Sequence, residues 1–387
     1  MNKSNINYWF TVEPYVYIGL NSYSVLLYNT LDGATIESNE VEVIELLKEI
    51  TKKENNGVVL LDSTKLGNKN IKSFVIQIRE RFMGDIIDIG LSNAKPIQLH
   101  PFYNFRNVDI SQIYKKHNFS TGSNIIEKLC EICIYIDHTT VFSELILFLQ
   151  SIPIEGITIN IIGNFKYLKK HLDLISFLNQ ISSHKILCCS YKQIIHLDLP
   201  LKNCFSYKIL VDFPINRRIW DYHWEIINSQ ILPYEYVFAV KSTKDIEETN
   251  HFIEKFRINK YQIKPVYTGD NFHFFEEYVF ITKEDIISMP QSINDIFTHQ
   301  AMNIHDFGKI NIMPNGDVYA NLNHPKLGNI SSNSINEIVY KEINEGLSWF
   351  RIRNQAPCDD CVYQWLCPSP SDYELELNRY NLCNIVK

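Results

Sequence analysis

Residues 132–162 read ICIYIDHTTVFSELILFLQSIPIEGITINII: an apolar β run from Ile132 to Ile136, a helical stretch from Val141 to Gln150, and a second apolar run from Ile157 to Ile162. The same alternation extends to both sides. Further β runs are expected at Ile97 to His100, Ile186 to Cys189, Tyr207 to Val211, Tyr236 to Val240 and Gln262 to Val266. Amphipathic helices are expected at Tyr167 to Gln180, Trp220 to Ser229 and Ile246 to Phe256. Strands that alternate with helices imply a parallel sheet with right-handed crossovers. Residues 86–300 are therefore expected to form an α/β unit, a partial (β/α) barrel, with a full barrel or an open sheet as the alternatives.

Different patterns flank this unit. In residues 1–85, Tyr8 to Phe10, Tyr15 to Leu20 and Ser24 to Tyr28 are short aromatic and β-branched runs, broken by Pro14 and by Asn21-Ser22, that read as a small antiparallel sheet. A helix from Glu40 to Thr51 follows, with Val43, Ile44, Leu46, Leu47 and Ile50 at helical spacing and Ser38 or Asn39 as its cap. A second helix, Asn70 to Phe82, buries Ile71, Phe74, Val75, Ile78 and Phe82. Strands followed by two short helices suggest a winged-helix-like module. In residues 301–387, Ile310 to Met313 and Val318 to Ala320 flank Pro314-Asn315-Gly316-Asp317, a tight-turn signal. A helix near Ile335 to Phe350 and a cysteine-rich tail complete the chain.

Composition narrows the function. The 387 residues are 45% hydrophobic and 21% charged, enough for a sizeable core and for more than one module. A formal charge of −7, with no basic run longer than Tyr114-Lys115-Lys116-His117 or Lys169-Lys170-His171, argues against a nucleic-acid partner. No stretch reaches the roughly 20 apolar residues of a membrane-spanning helix, and Glu13 and Pro14 interrupt any signal-type apolar core. A soluble, cytoplasmic protein is the expectation. No Gly-rich phosphate loop is present, which removes most nucleotide-dependent enzyme classes. Asp137-His138 and Asp221-Tyr222-His223 each place one acid beside one histidine without a nucleophile pattern, so surface or strand-end roles are expected of them.

The nine cysteines divide sharply. Cys130, Cys133, Cys188, Cys189 and Cys204 lie among apolar residues and are expected to be core thiols, with Cys188 and Cys189 on opposite faces of a strand. Cys358, Cys361, Cys367 and Cys383 crowd into the last 30 positions. In Pro357-Cys358-Asp359-Asp360-Cys361 a two-residue gap lets both sulfurs of a turn face one metal. Tetrahedral zinc and an iron–sulfur cluster both accept four thiolates, so spacing leaves the metal open.

Residues 308–383 resemble the SPASM extension of radical-SAM enzymes, in which a Gly-x4-Cys hairpin leads to Cys-x2-Cys-x5-Cys-x3-Cys and a final lone cysteine. The resemblance implies that Cys358, Cys361, Cys367 and Cys383 hold one auxiliary 4Fe-4S cluster. It also implies that a first auxiliary cluster is missing, because the hairpin cysteine is replaced by Asn321 and the cysteine that should follow Cys367 by Ser371. The radical-SAM Cys-x3-Cys-x2-Cys motif, expected after the first barrel strand, is found nowhere; Ile97 to His100 is followed by Pro101-Phe102-Tyr103-Asn104-Phe105-Arg106. The Gly-Gly-Glu-Pro signature survives only as Ile162-Gly163-Asn164-Phe165. Reductive cleavage of S-adenosylmethionine then has no chemical basis.

The chain is thus similar to the pseudo-radical-SAM/SPASM proteins of ribosomal-peptide systems whose precursors carry Gly-Gly leaders. That likeness implies a non-catalytic protein that binds a precursor or leader peptide, an active radical-SAM partner, or both. The first unit is similar to leader-recognition domains, which take up a leader as an added strand, with Tyr15 to Leu20 and Ser24 to Tyr28 as the runs that would supply the edge; a structural cap on the barrel is the alternative. The alternative is an iron–sulfur redox protein that exchanges electrons with a peptide-modifying enzyme, and zinc is the alternative metal.

Overall fold

The computed structural model describes residues 7–100, 129–153, 156–164, 172–194, 205–228 and 233–385. At the amino-terminal end, β1 (Tyr8–Val12) is the centre of a three-stranded antiparallel sheet between β5 (Val58–Leu61) and β6 (Gly84–Asp88). A second three-stranded sheet is formed by β2 (Val16–Leu20), β3 (Val25–Asn29) and β4 (Thr35–Ser38). Helices α1 (Val41–Ile50), α2 (Ser63–Gly67) and α3 (Lys69–Glu80) complete the unit. The apolar faces of both sheets and of α1 and α3 merge in one core that includes Phe10, Ile18, Leu27, Leu47, Phe74 and Ile78.

The three amino-terminal runs do not share a sheet as expected. Pro14 breaks the chain between β1 and β2, Val16 N–H closes a turn onto the Glu13 carbonyl at 3.0 Å, and β1 is left to pair elsewhere. Of the two hairpin strands expected to receive a leader strand, one is interior and the other, β2, remains an edge strand among the described residues. Strand β3 is the middle strand of its sheet, and β2 is buried along its whole length.

Among the described residues the central sheet has nine strands. Six follow one another in parallel and in chain order: β7 (Glu131–Ile136), β8 (Thr158–Gly163), β9 (Lys185–Ser190), β10 (Ser206–Asp212), β11 (Tyr234–Val240) and β12 (Tyr261–Pro265). The connections carry α4 (Phe142–Gln150), α5 (Leu172–Gln180), α6 (Tyr191–Ile194), α7 (Arg217–Asn228) and α8 (Thr243–Phe256). Alternation along each strand sends Ile132, Ile134, Ile136, Ile159, Ile161, Tyr207, Ile209, Tyr236 and Phe238 into one core with helix residues such as Leu145, Leu178, Trp220 and Phe252. Glu131, Cys133, Asn160, Cys188 and Lys208 occupy the alternate, opposite face.

Three helices, α9 (Phe272–Tyr278), α10 (Lys283–Ser288) and α11 (Ile293–Ala301), lead from β12 to β13 (Lys309–Ile312), which lies parallel to β7 on its free side. Strands β14 (Asp317–Tyr319) and β15 (Gly328–Asn329) then continue the sheet antiparallel. The turn at Pro314 to Asp317 forms where expected, with Gly316 at φ 83° as its left-handed residue. Strands β12 and β15 are the two edges, so the sheet is open among the described residues.

One expected strand is absent. Ile97 to His100 is irregular chain that follows Asn56 and Gly57 through a Gln98 N–H to Asn56 carbonyl bond of 2.9 Å, and its apolar residues Ile97 and Leu99 are 70% and 71% exposed. Among the described residues nothing buries their face, and the apolar pattern does not produce a strand. Helix α12 (Ile335–Glu345) is shorter than the expected Ile335 to Phe350. Beyond Gly346 the Ser348 and Trp349 N–H groups turn onto the Glu342 carboxylate at 2.9 and 2.8 Å.

The amino-terminal unit docks on the cysteine-rich tail through Tyr17, Leu26 and Tyr28, which pack with Ile286, Ile296, Val362, Tyr363, Trp365 and Leu366. The approach is close enough that a Cβ on Gly19 would lie 1.9 Å from the Val362 carbonyl oxygen. Leu26→Ala is therefore expected to cost about 2–5 kcal/mol of stability. Gly19→Ala should lower the denaturation midpoint of the full chain as well, since the obstructing atom is backbone. An unchanged midpoint in Gly19→Ala would contradict this packing.

Candidate metal centre

The tail from Arg353 onward is built of short turns. Cys358 N–H bonds to the Gln355 carbonyl at 2.8 Å and Cys361 N–H to the Cys358 carbonyl at 3.1 Å, so the Cys-x2-Cys segment closes on itself. Cys367 N–H reaches the Tyr363 carbonyl at 3.0 Å. Cys383 arrives by a different route. Ile281 N–H bonds to Leu382 and Asn384 N–H bonds back to Ile281, at 2.9 and 3.1 Å, so a single bridge to the start of α10 returns the last cysteine to the other three.

All four sulfurs come to one cavity, whose wall also includes Ile281, Arg353, Gln364, Asn381, Leu382 and Ile385. The cysteines are free thiols, with Cys358 and Cys367 buried and Cys361 and Cys383 half-buried. Burial pushes the Cys367 thiol up to about 12 and the Cys361 thiol up to about 11, and raises that of Cys358 against the pull of Arg353. Among the described residues, no group of three or more His, Cys, Asp or Glu side chains is arranged to hold a metal ion. The surroundings nevertheless suit thiolates. Tyr363 N–H points at the Cys361 sulfur, Asn381 Nδ2 lies 3.3 Å from Cys383 Sγ, and Arg353 Nη1 lies 3.8 Å from Cys358 Sγ. Thiols are soft donors of the kind that zinc and iron–sulfur clusters both use, and N–H groups are directed at three of the four.

Comparison with protein-family models, curated proteins and solved structures returns no significant match.

The other cysteines do not join this group. Cys133 is buried on β7, where burial pushes its thiol up to about 12 and its Sγ donates to Glu131 Oε1 at 3.3 Å; Cys130 is exposed just before the strand. Cys189 lies in the helix-side core and Cys188 on the opposite face, as strand alternation requires. Cys204 lies outside the described residues, as do Pro101 to Arg106 and both basic runs. Asp137 binds the Thr139 N–H and hydroxyl at 2.7 and 2.6 Å and so shapes an exposed turn after β7. His223 is buried among Tyr191, Trp220 and Tyr236 with its Nε2 2.9 Å from the Tyr236 hydroxyl. Asp221 is exposed, and neither acid–histidine pair forms a nucleophilic site.

Two features escaped the sequence reading. Arg353 and Glu374 form a buried ion pair at 2.9 Å beside the thiols, and the only sequence trace is the Ser-x-x-Glu capping pattern that places Glu374 three residues after Ser371. Asn321 Nδ2 donates to both oxygens of buried Asp306 at 2.9 and 3.1 Å and to Asp372 at 2.5 Å. Arg351 closes this second network, donating to the Ser371 carbonyl at 3.1 Å and pairing with Asp306 at 3.4 Å.

His223 supplies a pH test of the core. Burial lowers its pKa to about 4 from the ordinary 6.5. The unfolded chain therefore binds that proton first, so the stability associated with neutral His223 is present above pH 6.5 and lost as pH falls toward 4. The expected loss is about 3 kcal/mol over that window. Denaturation curves of His223→Gln at several pH values should show a correspondingly shallower acid decline than the parent; equal slopes would contradict a buried neutral imidazole.

Proposed function

We propose that the chain is a non-catalytic relative of the radical-SAM/SPASM peptide-modifying enzymes. In this reading it holds one 4Fe-4S cluster on Cys358, Cys361, Cys367 and Cys383 and binds a ribosomally made precursor peptide, an active radical-SAM partner, or both. The observation that carries the reading is the convergence of these four sulfurs on one cavity, on a fold with no cysteine where radical chemistry would need three. The loop after β7, the first of the six parallel strands, is Asp137-His138-Thr139-Thr140-Val141, a compact polar turn. The Gly163 remnant falls at the end of the next strand, at φ 143° and so close to the Ile136 carbonyl that a Cβ would lie 2.2 Å from it. Six parallel strands in chain order, extended by β13 and its hairpin, agree with a degenerate partial barrel followed by a SPASM-like extension.

The loss of the first auxiliary cluster also has a physical counterpart. Asn321 and Ser371, which stand in the two positions where cysteines are expected, meet in the Asp306–Arg351–Asp372 network. Hydrogen bonds occupy the place where sulfur ligands would be needed.

A structural staple is favoured over an electron carrier because Cys367 is part of the apolar cluster on which Tyr17, Leu26 and Tyr28 dock. A metal that draws the four thiolates together would stabilise that docking surface with its own binding energy. For a leader strand, β6 offers a free edge. Among the described residues it pairs with β1 alone and carries half-exposed Ile86 and Ile87, whereas the Thr35 carbonyl on β4 is engaged by Arg81.

Two assays test the reading together. Incubated with S-adenosylmethionine and a strong reductant, the full chain should release no 5′-deoxyadenosine. Titrated with the precursor peptides encoded beside its own gene, it should bind one of them and leave its mass unchanged, and Ile87→Asp should weaken that binding at least about tenfold, on the order of 1.4 kcal/mol. Cofactor cleavage, or failure to bind any such peptide or enzyme, would overturn the proposal.

A further inference from the structure

Arg353 is the one charged residue in the wall of the four-thiol cavity. Its side chain is held at several points. Its Nε donates to the Pro368 carbonyl at 2.6 Å, just beyond Cys367, and its Nη1 reaches Glu374 Oε1 at 2.9 Å and Cys358 Sγ at 3.8 Å. Its own carbonyl accepts from the Gln364 amide, between Cys361 and Cys367. Glu374 is fixed in turn, since its second oxygen accepts the Ser371 N–H at the start of α13 (Asp372–Glu376). The Arg353 and Glu374 side chains are only 7% and 4% exposed.

A buried ion pair is expensive to desolvate, and an apolar pair of similar volume would serve stability as well or better. A pair kept beside four thiols calls for a use that apolar residues cannot supply. Four thiolates around a dication or a 4Fe-4S core leave a net negative centre, and a fixed cation beside the sulfurs lowers its energy. Glu374 opposes that effect by neutralising part of the guanidinium charge.

We propose that Arg353 is the built-in counter-ion of the centre held by Cys358, Cys361, Cys367 and Cys383, and that Glu374 sets how much of its charge the sulfurs feel. The inference rests on the metal-centre reading above and goes beyond it by assigning electrostatic roles to two residues that ligate nothing. Both are positioning residues. The consequence is a pair of effects of opposite sign, which a purely structural pair would not produce.

The test uses the full chain purified without oxygen, with iron, sulfide and zinc measured first. With an iron–sulfur centre, the reduction midpoint is followed by spectroelectrochemistry. Arg353→Met should disfavour the reduced, more negative form about tenfold, a midpoint lower by about 59 mV, and Glu374→Gln should favour it by a similar factor. Arg353→Lys keeps the charge and should stay within about twofold of the parent. With zinc, the same variants are compared by transfer to a chelator, which Arg353→Met should speed and Glu374→Gln should slow. Shifts of the same sign, or changes below about twofold in both Arg353→Met and Glu374→Gln, would overturn the inference while leaving the centre intact. A parent chain with no bound metal would overturn the centre and the inference with it.

Discussion

Four cysteines that line one cavity beneath the protein surface are the constraint on which the rest of this structure turns. Burial disfavours the thiolate at Cys358, Cys361 and Cys367, so each of these groups is costly to ionise unless a cation compensates. A metal ion supplies that compensation most completely. The fixed groups around the cavity, Arg353 and the N–H donors of Tyr363 and Asn381, supply part of it in advance. The same segment carries the contacts made by the amino-terminal unit, so the chemistry of the sulfurs and the mechanical integrity of the molecule are coupled. Loss of one ligand should be felt at Leu26 and Tyr28 as well as at the centre.

The central sheet has a different part in this arrangement. Its helix-side face is a continuous apolar core, while the opposite face carries Glu131, Cys133, Asn160 and Lys208. At the carboxyl end of β7, where a radical enzyme would place its open-coordinate cluster, Asp137 and Thr140 tie the chain into a closed polar turn. The central sheet thus supports the tail without a cysteine at this turn. Strand β13 physically joins the two, because it belongs to the parallel sheet through β7 and opens the hairpin that leads into the cysteine-rich segment.

Much of this was legible in the sequence because it is local. Apolar runs with helices between them give the parallel strands directly, and the Cys-x2-Cys turn places two sulfurs together by backbone geometry alone. The misreadings are non-local. Val58–Leu61 and Gly84–Asp88 are strands because β1 lies between them, and neither the four-residue VVLL run nor the acid-bounded GDIID alternates in a way that announces a partner. Ile97 to His100 has the composition of a strand, but Ile97 and Leu99 are exposed among the described residues. Cys383 is carried to its place by Ile281, about a hundred residues away, and Glu374 meets Arg353 across the cysteine loop. Spacing identifies the donors; only the fold shows which charges stand beside them.

The central claim is that these four cysteines form one metal centre. Its most direct test is to purify the full chain without oxygen beside a variant in which Cys358, Cys361, Cys367 and Cys383 are all serine, and to quantify iron, acid-labile sulfide and zinc in both. The account predicts about four irons and four sulfides per parent chain, or about one zinc in the alternative, and none in the variant. A parent chain that binds no metal, or a variant that binds as much as the parent, would contradict it.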